Sequence, residues 1–475
     1  MVEWIYSSNI YEVNLRQYTV EGTFTAFMRH MPRLKDMGIE ILWFMPITPI
    51  SRDRRLGTLG SYYACSDYTS TNPEFGTLDD FKQLVHYAHE LGLKVVLDFV
   101  ANHTGWDHHW TRESPDFYRK NLDGHFYDAN GWEDVIDLNY DNPALRQAMI
   151  DAMTFWVEQC DIDGYRCDMA MLVPLEFWRE ARAALDRRKK LFWLAECEEI
   201  AYHEVFDATY TWKFLHKMES VWRKEAGLRG LDEVLQYYHT MFPPEALRAF
   251  FTTNHDENSH SGSEYERMGD AARAFAVLCC TWNGLPLIYS GQELPNYKRL
   301  KFFDKDQIDW KGPDGGDAKP GQTDSAVKRT DENDRQETAA GGAGTGAGND
   351  RQGLHTEQAA AAWAAGCELH TFYKVLLGLR KRNPALRAGD PAVAVYRLHT
   401  GVSDRCYAFI RKTGEDAVLV LLNFSSGPLD LPADGFFLQG SYKEVFTGET
   451  IDQTSAKAIT LAAWGYKVFE RNKPA

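Results

Sequence analysis

Short, nearly continuous apolar runs alternate along this chain with stretches that place apolar residues every third or fourth position. IEILWFMP (39–46) and LKVVLDFV (93–100) read as strands buried on both faces. Between them LDDFKQLVHYAHELG (78–92) has helical periodicity and a terminal glycine. The alternation continues with a helix over 143–160, a strand at DGYRCDMA, a helix over 174–189 and a strand at LFWLAECE. ALRAFFTTNHDE, the helical DAARAFAVLCCTWN, the strand GLPLIYSGQE and the long helix ELHTFYKVLLGLRKR complete it. About eight strand–helix units over roughly the first 380 residues predict an α/β fold, a (β/α)8 TIM barrel rather than an open sheet. The sixth strand cannot be placed within 200–245.

Three stretches break the pattern. Residues 104–142 follow the third strand, show no clear helix and are rich in Trp, His, Asp and Tyr. Long structured excursions of this kind are usually functional. Residues 313–365 are polar and glycine-rich and predict a disordered insertion before the last barrel helix. From residue 391 to 475 short alternating strands between turn residues predict an antiparallel β domain. The expected organisation is therefore a barrel over 1–103 and 143–390, a short inserted domain over 104–142, and a C-terminal β domain.

Composition narrows the function. Of 475 residues, 52 are basic and 68 acidic, a formal charge of −16. That excludes nucleic acid and anionic membrane surfaces as expected partners. No apolar run approaches the ~18 residues of a membrane span. The aromatic share of 13% is high, and some of these rings could line a groove for a flat, uncharged ligand. The eight cysteines form neither a disulfide framework nor a CxxC pair, and read as buried reduced thiols. With no charged and apolar leader at WIYSSNIYEV, this predicts a cytoplasmic chain, although a trimmed mature form stays open.

The candidate chemistry lies at strand ends, where a (β/α)8 barrel places its active site. Strand three ends in DFVANH (Asp98, Asn102, His103), strand four in DGYRCD (Arg166, Asp168), strand five in AECE (Glu196) and strand seven in TTNHDE (Asn254, His255, Asp256). A single cluster could be a structural ion pair; four together point to a site. Converging carboxylates suit glycoside cleavage, which needs an ionised nucleophile and a protonated acid. Arg166, two residues before Asp168 and on the same face, should hold that carboxylate ionised and lower its pKa. The apolar run before Glu196 should raise its pKa, as a general acid requires. Asp256, next to His255, could brace sugar hydroxyls, but spacing alone does not fix the three roles. Cys167 and Cys197 should point outward and pack.

DFVANH, GYRCDMA, the Glu of LAECE and FTTNHD, in that order, resemble the four signature regions of glycoside hydrolase family 13, the α-amylase-type enzymes. GSYYACSDYTSTNPEFGT resembles the segment after that family's second strand. The resemblance covers nearly the whole chain outside 313–365. It implies Asp168 as nucleophile, Glu196 as acid/base and Asp256 as transition-state stabiliser. It further implies that Tyr63 stacks on the sugar, that His103 and His255 bind it, and that Arg166 and Asp98 support them. The excursion 104–142 would be domain B and the β domain domain C. The family's D-x-x-K-H pattern is broken here by Met171 and Leu172, which removes a lysine contact to sugar. Asn102, Asp137 and the Leu172 carbonyl match calcium positions of the family, and oxygen ligands suit calcium. The alternative is that these residues only hydrogen-bond the domain B loop. HTGWDHHW holds a His pair, but adjacent residues point to different sides and no third ligand is suitably spaced, so zinc is not expected. Tyr62, Tyr63, Trp106, Trp110 and Trp132 are candidate sugar platforms.

The expected function is a retaining hydrolase of α-1,4 bonds in starch or maltooligosaccharides, with no organic cofactor. A glucanotransferase, a trehalose-forming enzyme or an α-glucosidase remains the alternative within the family, and a non-catalytic sugar-binding barrel the alternative outside it. Oligomeric state, endo or exo action and chain-length preference stay open.

Overall fold

The computed structural model describes residues 2–310, 367–432, 440–452 and 458–471. The expected insertion 313–365 lies outside them. Eight parallel strands close a barrel: β1 (Ile10–Val13), β2 (Ile41–Phe44), β3 (Lys94–Phe99), β6 (Gly164–Cys167), β7 (Phe192–Ala195), β8 (Ala208–Tyr210), β9 (Leu247–Phe250) and β10 (Leu285–Tyr289). β10 pairs back onto β1 with Leu287 opposite Ile10. The sixth barrel strand that the sequence left unplaced is β8. With three residues it is too short to set up a periodicity of its own.

Local chemistry sets the helix ends. The helix Leu78–Glu90 starts at a reciprocal cap: Asp80 N–H donates to Thr77 Oγ1 (3.2 Å) and Thr77 N–H to Asp80 Oδ2 (2.8 Å). Its Phe81, Leu84, Val85 and Ala88 form one buried stripe against the barrel. The helix Pro143–Cys160 starts at Asn142, whose side chain accepts from Ala144 N–H, with proline in the first helical position.

The excursion after β3 is an antiparallel hairpin base, β4 (His103–Gly105) with β5 (Val135–Asp137), so His103 already belongs to it. It contains a single α-helical turn, Trp110–Glu113, where the sequence showed no clear helix. The C-terminal region is a six-stranded antiparallel sheet: β11 (Ala394–Leu398), β12 (Cys406–Thr413), β13 (Asp416–Asn423), β18 (Tyr466–Arg471), β15 (Tyr442–Glu444) and β16 (Thr450–Ile451). A two-stranded sheet, β14 (Leu429–Leu431) with β17 (Ile459–Leu461), covers its outer face. β13 is continuously apolar from Ala417 to Leu422 because both faces are buried. Val418, Val420 and Leu422 join the barrel core, while Leu419 and Leu421 face the small sheet. Arg411 donates to the carbonyls of Trp282 (2.8 Å) and Arg387 (2.7 Å), tying this sheet to the barrel.

All eight cysteines are free, and seven are buried; Cys367 is only half-buried, a departure from the expectation. No helix among the described residues is long and apolar enough to cross a membrane.

Candidate active site

Barrel register brings the charged strand ends together. Asp98 on β3 sits directly opposite Arg166 on β6. Arg166 is fully buried and serves three carboxyls. Its Nη1 donates to Asp98 Oδ1 and to Asp168 Oδ1, both at 2.8 Å, and its Nη2 lies 2.7 Å from Glu196 Oε2. Met169 adopts a left-handed conformation (φ 40°), a strained state for a non-glycine residue, and its N–H donates to Glu196 Oε2 (3.0 Å). The turn after Asp168 therefore also orients Glu196.

One cation among three buried carboxyls leaves the group short of positive charge. Burial raises the Asp168 carboxyl; Arg166 opposes this, Asp98 and Asp256 add to it, and the result is about 6. Arg166 does act to lower it, as expected, but burial, with Asp98 and Asp256, outweighs the guanidinium and the net shift is upward. Burial, with Asp168 and Asp256, pushes Glu196 up to about 7 against Arg166. Asp98 is raised to about 6, again chiefly by burial. Asp168 and Glu196 are both raised, and the ordering makes Glu196 the one that keeps its proton to higher pH.

Around this group, the Tyr63 hydroxyl is 3.1 Å from Asp98 Oδ2 and 2.7 Å from His255 Nε2. The Tyr63 ring stacks at 5.4 Å on His255 and at 6.2 Å on Phe302. His255 lies 3.3 Å from Asp256 Oδ2, whose side chain is partly exposed to the cleft. His103 is buried, its ring meets Trp132 edge-on at 5.3 Å, and burial lowers it to about 4, so it is neutral at ordinary pH. Tyr63, His103, Asp168, Glu196 and Asp256 line a cleft of about 430 Å³ together with Trp132 of the excursion, Phe302 and His260; His255 is buried behind it. A larger groove of about 850 Å³ lies between the helix Arg229–Met241 and the C-terminal sheet. Its Asp232 is engaged by Arg397 (3.0 Å) and the Tyr407 hydroxyl (2.7 Å).

Other candidates fall elsewhere. Tyr62 is fully buried, donates to Asn14 Oδ1 (2.9 Å) and lies under the Arg16 guanidinium; it packs and offers no sugar platform. Trp106 is covered by Arg54 at 3.4 Å, and Trp110 packs on Tyr68 and Phe117. Cys167 and Cys197 are buried and their thiols are raised by burial, Cys197 to about 12, which makes them inert. The His108 and His109 rings stack at 4.6 Å and so do not point apart as expected, because they sit on a turn and not on a strand. Among the described residues no three His, Cys, Asp or Glu side chains converge as a metal would require.

Of the calcium candidates, Asn102 and Asp137 meet (Nδ2 to Oδ1, 3.5 Å). Burial and a hydrogen bond with Asp128 raise Asp137 to about 6. Asn102 turns its amide nitrogen to Asp137, so the Asp137 carboxylate is the one oxygen ligand of this pair already in place for a hard dication. Leu172 lies on the turn Ala170–Leu172, where its N–H donates to Met169 O (2.9 Å).

Sequence reasoning missed Phe302 and His260, which come from irregular loops, and Glu12, a fully buried carboxyl on β1 at 2.5 Å from His255 Nδ1. The signal for Glu12 was present, a charge inside the apolar strand IYEV.

The profile of the family described as "Alpha amylase, catalytic domain" matches residues 5–127 and 119–389. An α-amylase, MalA, of Haloarcula japonica is 28% identical over 462 residues, 93% of this chain, which spans 59% of that relative's length. An α-amylase structure from Lactobacillus plantarum superposes with a TM-score of 0.79 at 26% identity, covering 98% of this chain and 99% of the other. A maltogenic α-amylase structure, AmyB from Thermotoga neapolitana, has the same fold, with a TM-score of 0.79 at 24% identity and 99% coverage of both chains.

Proposed function

The chain belongs to the α-amylase catalytic-domain family, the glycoside hydrolases of family 13, and from that premise we propose that it cleaves α-1,4-glucosidic bonds of maltooligosaccharides by a retaining route. The observation that carries this reading is the shared guanidinium. Asp168 and Glu196 sit on the two terminal nitrogens of Arg166. Carboxyls held as such close neighbours favour the roughly 5–5.5 Å spacing of a retaining pair over the roughly 6.5–9.5 Å that leaves room for water.

In this reading the Asp168 carboxylate attacks the anomeric carbon while Glu196 gives its proton to the departing glycosidic oxygen, leaving a glucosyl ester on Asp168. Glu196, now a carboxylate, then takes a proton from water, the water oxygen attacks the anomeric carbon, and Asp168 leaves as a carboxylate. The positions of Asp256 and His255 support bracing of the oxocarbenium-like state between these steps. Tyr63 offers the ring face, and the neutral His103 a hydrogen bond. A calcium ion held by Asn102 and Asp137 would supply charge that keeps Asp137 ionised and pins the hairpin base; no chemical step passes through it. The eight free thiols support a reducing compartment.

Digestion of maltoheptaose, followed by chromatography and by proton NMR of the fresh anomer, tests the reading. Shorter chains released as the α-anomer are expected. Products longer than the substrate would replace hydrolysis by transfer, and β-anomers would overturn retention. Repeating the digestion with a chelator should lower the thermal midpoint if the calcium assignment holds; an unchanged midpoint removes it.

A further inference from the structure

We infer that Glu12, a buried side chain on β1, is a positioning residue that holds His255 as an imidazolium and thereby fixes the Asp256 carboxylate and the Tyr63 hydroxyl at the sugar site. The inference rests on the hydrolase reading above for its kinetic consequence, but not for its structural content.

The argument is a count of protons. Arg166 Nη1 donates to both oxygens of Asp98, at 2.8 and 3.0 Å, so Asp98 serves as an acceptor. Tyr63 has one hydroxyl proton and gives it to Asp98 Oδ2. The same hydroxyl oxygen, 2.7 Å from His255 Nε2, must then accept, so Nε2 carries a proton. On the other side of the ring Nδ1 lies within hydrogen-bond reach of Glu12 Oε1, and an ionised Glu12, which can only accept, requires a proton on Nδ1 as well. Both ring nitrogens protonated is an imidazolium. Glu12 is in turn fixed through its backbone, whose carbonyl accepts from Ser290 N–H (3.0 Å) and Ser290 Oγ (2.7 Å).

Four charged groups act on this ring. Glu12 approaches from β1, Asp98 from β3, Arg166 from β6 and Asp256 from the next position in the chain. Tyr210 and Tyr289 are close enough to feel the Glu12 charge. Trp43 meets the ring edge-on, and Tyr63 and Phe302 stack on it. Burial works against the imidazolium, but Asp256 and Glu12 outweigh it and carry His255 up to about 9.

Nitrogen NMR of the histidine-labelled enzyme reads the charge state directly, with the His255 signals identified by their loss in His255→Gln. Both His255 ring nitrogens should be protonated at pH 7. In Glu12→Gln, which keeps the shape, the ring should titrate lower by about one pH unit or more. That variant should lose about 10- to 100-fold in kcat on maltooligosaccharides, the scale of a lost charged hydrogen bond. Glu12→Asp should restore the imidazolium and part of the kcat. One bare His255 nitrogen in the native enzyme at pH 7, with the proton on Glu12, would overturn the inference. So would a Glu12→Gln enzyme with unchanged ring titration and kcat. If Glu12→Gln does not fold, the native spectrum still decides. A native enzyme inert on maltooligosaccharides would remove the hydrolase reading and leave the spectrum's answer standing.

Discussion

Strand β6 carries a buried aspartate at each end, and the two live in opposite electrostatic worlds. Asp163, just before the strand, accepts from His89 Nε2 (2.7 Å), Lys94 Nζ (3.2 Å) and Val95 N–H (2.9 Å), with Lys189 Nζ at 3.3 Å. Burial alone would raise it, yet these partners carry it down to about 2. Asp168, just after the strand, shares one guanidinium with two other carboxyls and rises to about 6. A carboxylate given more cations than it needs is fastened and adds stability. A carboxylate that must share its cation is left poised to bind protons or an electrophile. Burial is similar at both ends; the supply of partners distinguishes scaffold from site.

The largest effect should come from removing the poised groups. Asp168→Asn and Glu196→Gln should each lower kcat on maltooligosaccharides by on the order of 10⁴-fold, while the thermal midpoint holds or rises because crowded charge is relieved. A midpoint falling as far as in the Arg166 variant would erase the distinction drawn here. Arg166→Leu is next. It strands three buried carboxyls and should cost about 3–5 kcal/mol in denaturant unfolding at pH 7, with much of the loss recovered near pH 5, where the carboxyls take up protons.

Asp163→Asn should cost about 2 kcal/mol and leave kcat per folded molecule unchanged. The sign follows from its lowered folded-state pKa. Its stabilisation is present above the ordinary aspartate value near 4 and lost as pH falls toward about 2. The variant should therefore lose the acid limb of the stability curve between those values. The site cluster has the opposite slope. Its carboxyls bind protons more tightly folded than unfolded, so its contribution falls as pH rises from about 4 toward 6 and 7. Asp168→Asn should flatten that limb instead. The smallest effect should be that of Trp132→Ala on the cleft wall, a several-fold rise in KM worth about 1 kcal/mol with kcat nearly kept.

Much of this was readable from the chain. LKVVLDFV and LFWLA fold as strands because runs buried on both faces must be continuously apolar. The charges that end such runs had to be either neutralised or used, which marked Asp98, Arg166, Asp168, Glu196 and Asp256. β8 escaped because three residues carry no period. Glu12 escaped because a lone charge in a four-residue strand looks like an exposed position. Phe302 and His260 escaped because loop residues have no periodicity to reveal what they face. The direction of the Asp168 shift was misjudged for a physical reason. Sequence showed Arg166 two residues away, which does pull the carboxyl down, but not how completely Asp168 is buried nor that barrel register sets Asp98 beside the same guanidinium.

The central claim is that Asp168 is left short of positive charge in order to form a bond to sugar. Mass spectrometry of peptides from the Glu196→Gln enzyme, quenched after exposure to α-maltosyl fluoride, tests it most directly. Fluoride leaves without acid assistance, so the first step proceeds while the second is slowed. A maltosyl adduct on the peptide containing Asp168 is expected. An adduct carried by the Asp98 or Asp256 peptide, or no adduct while fluoride is still released, would contradict the account.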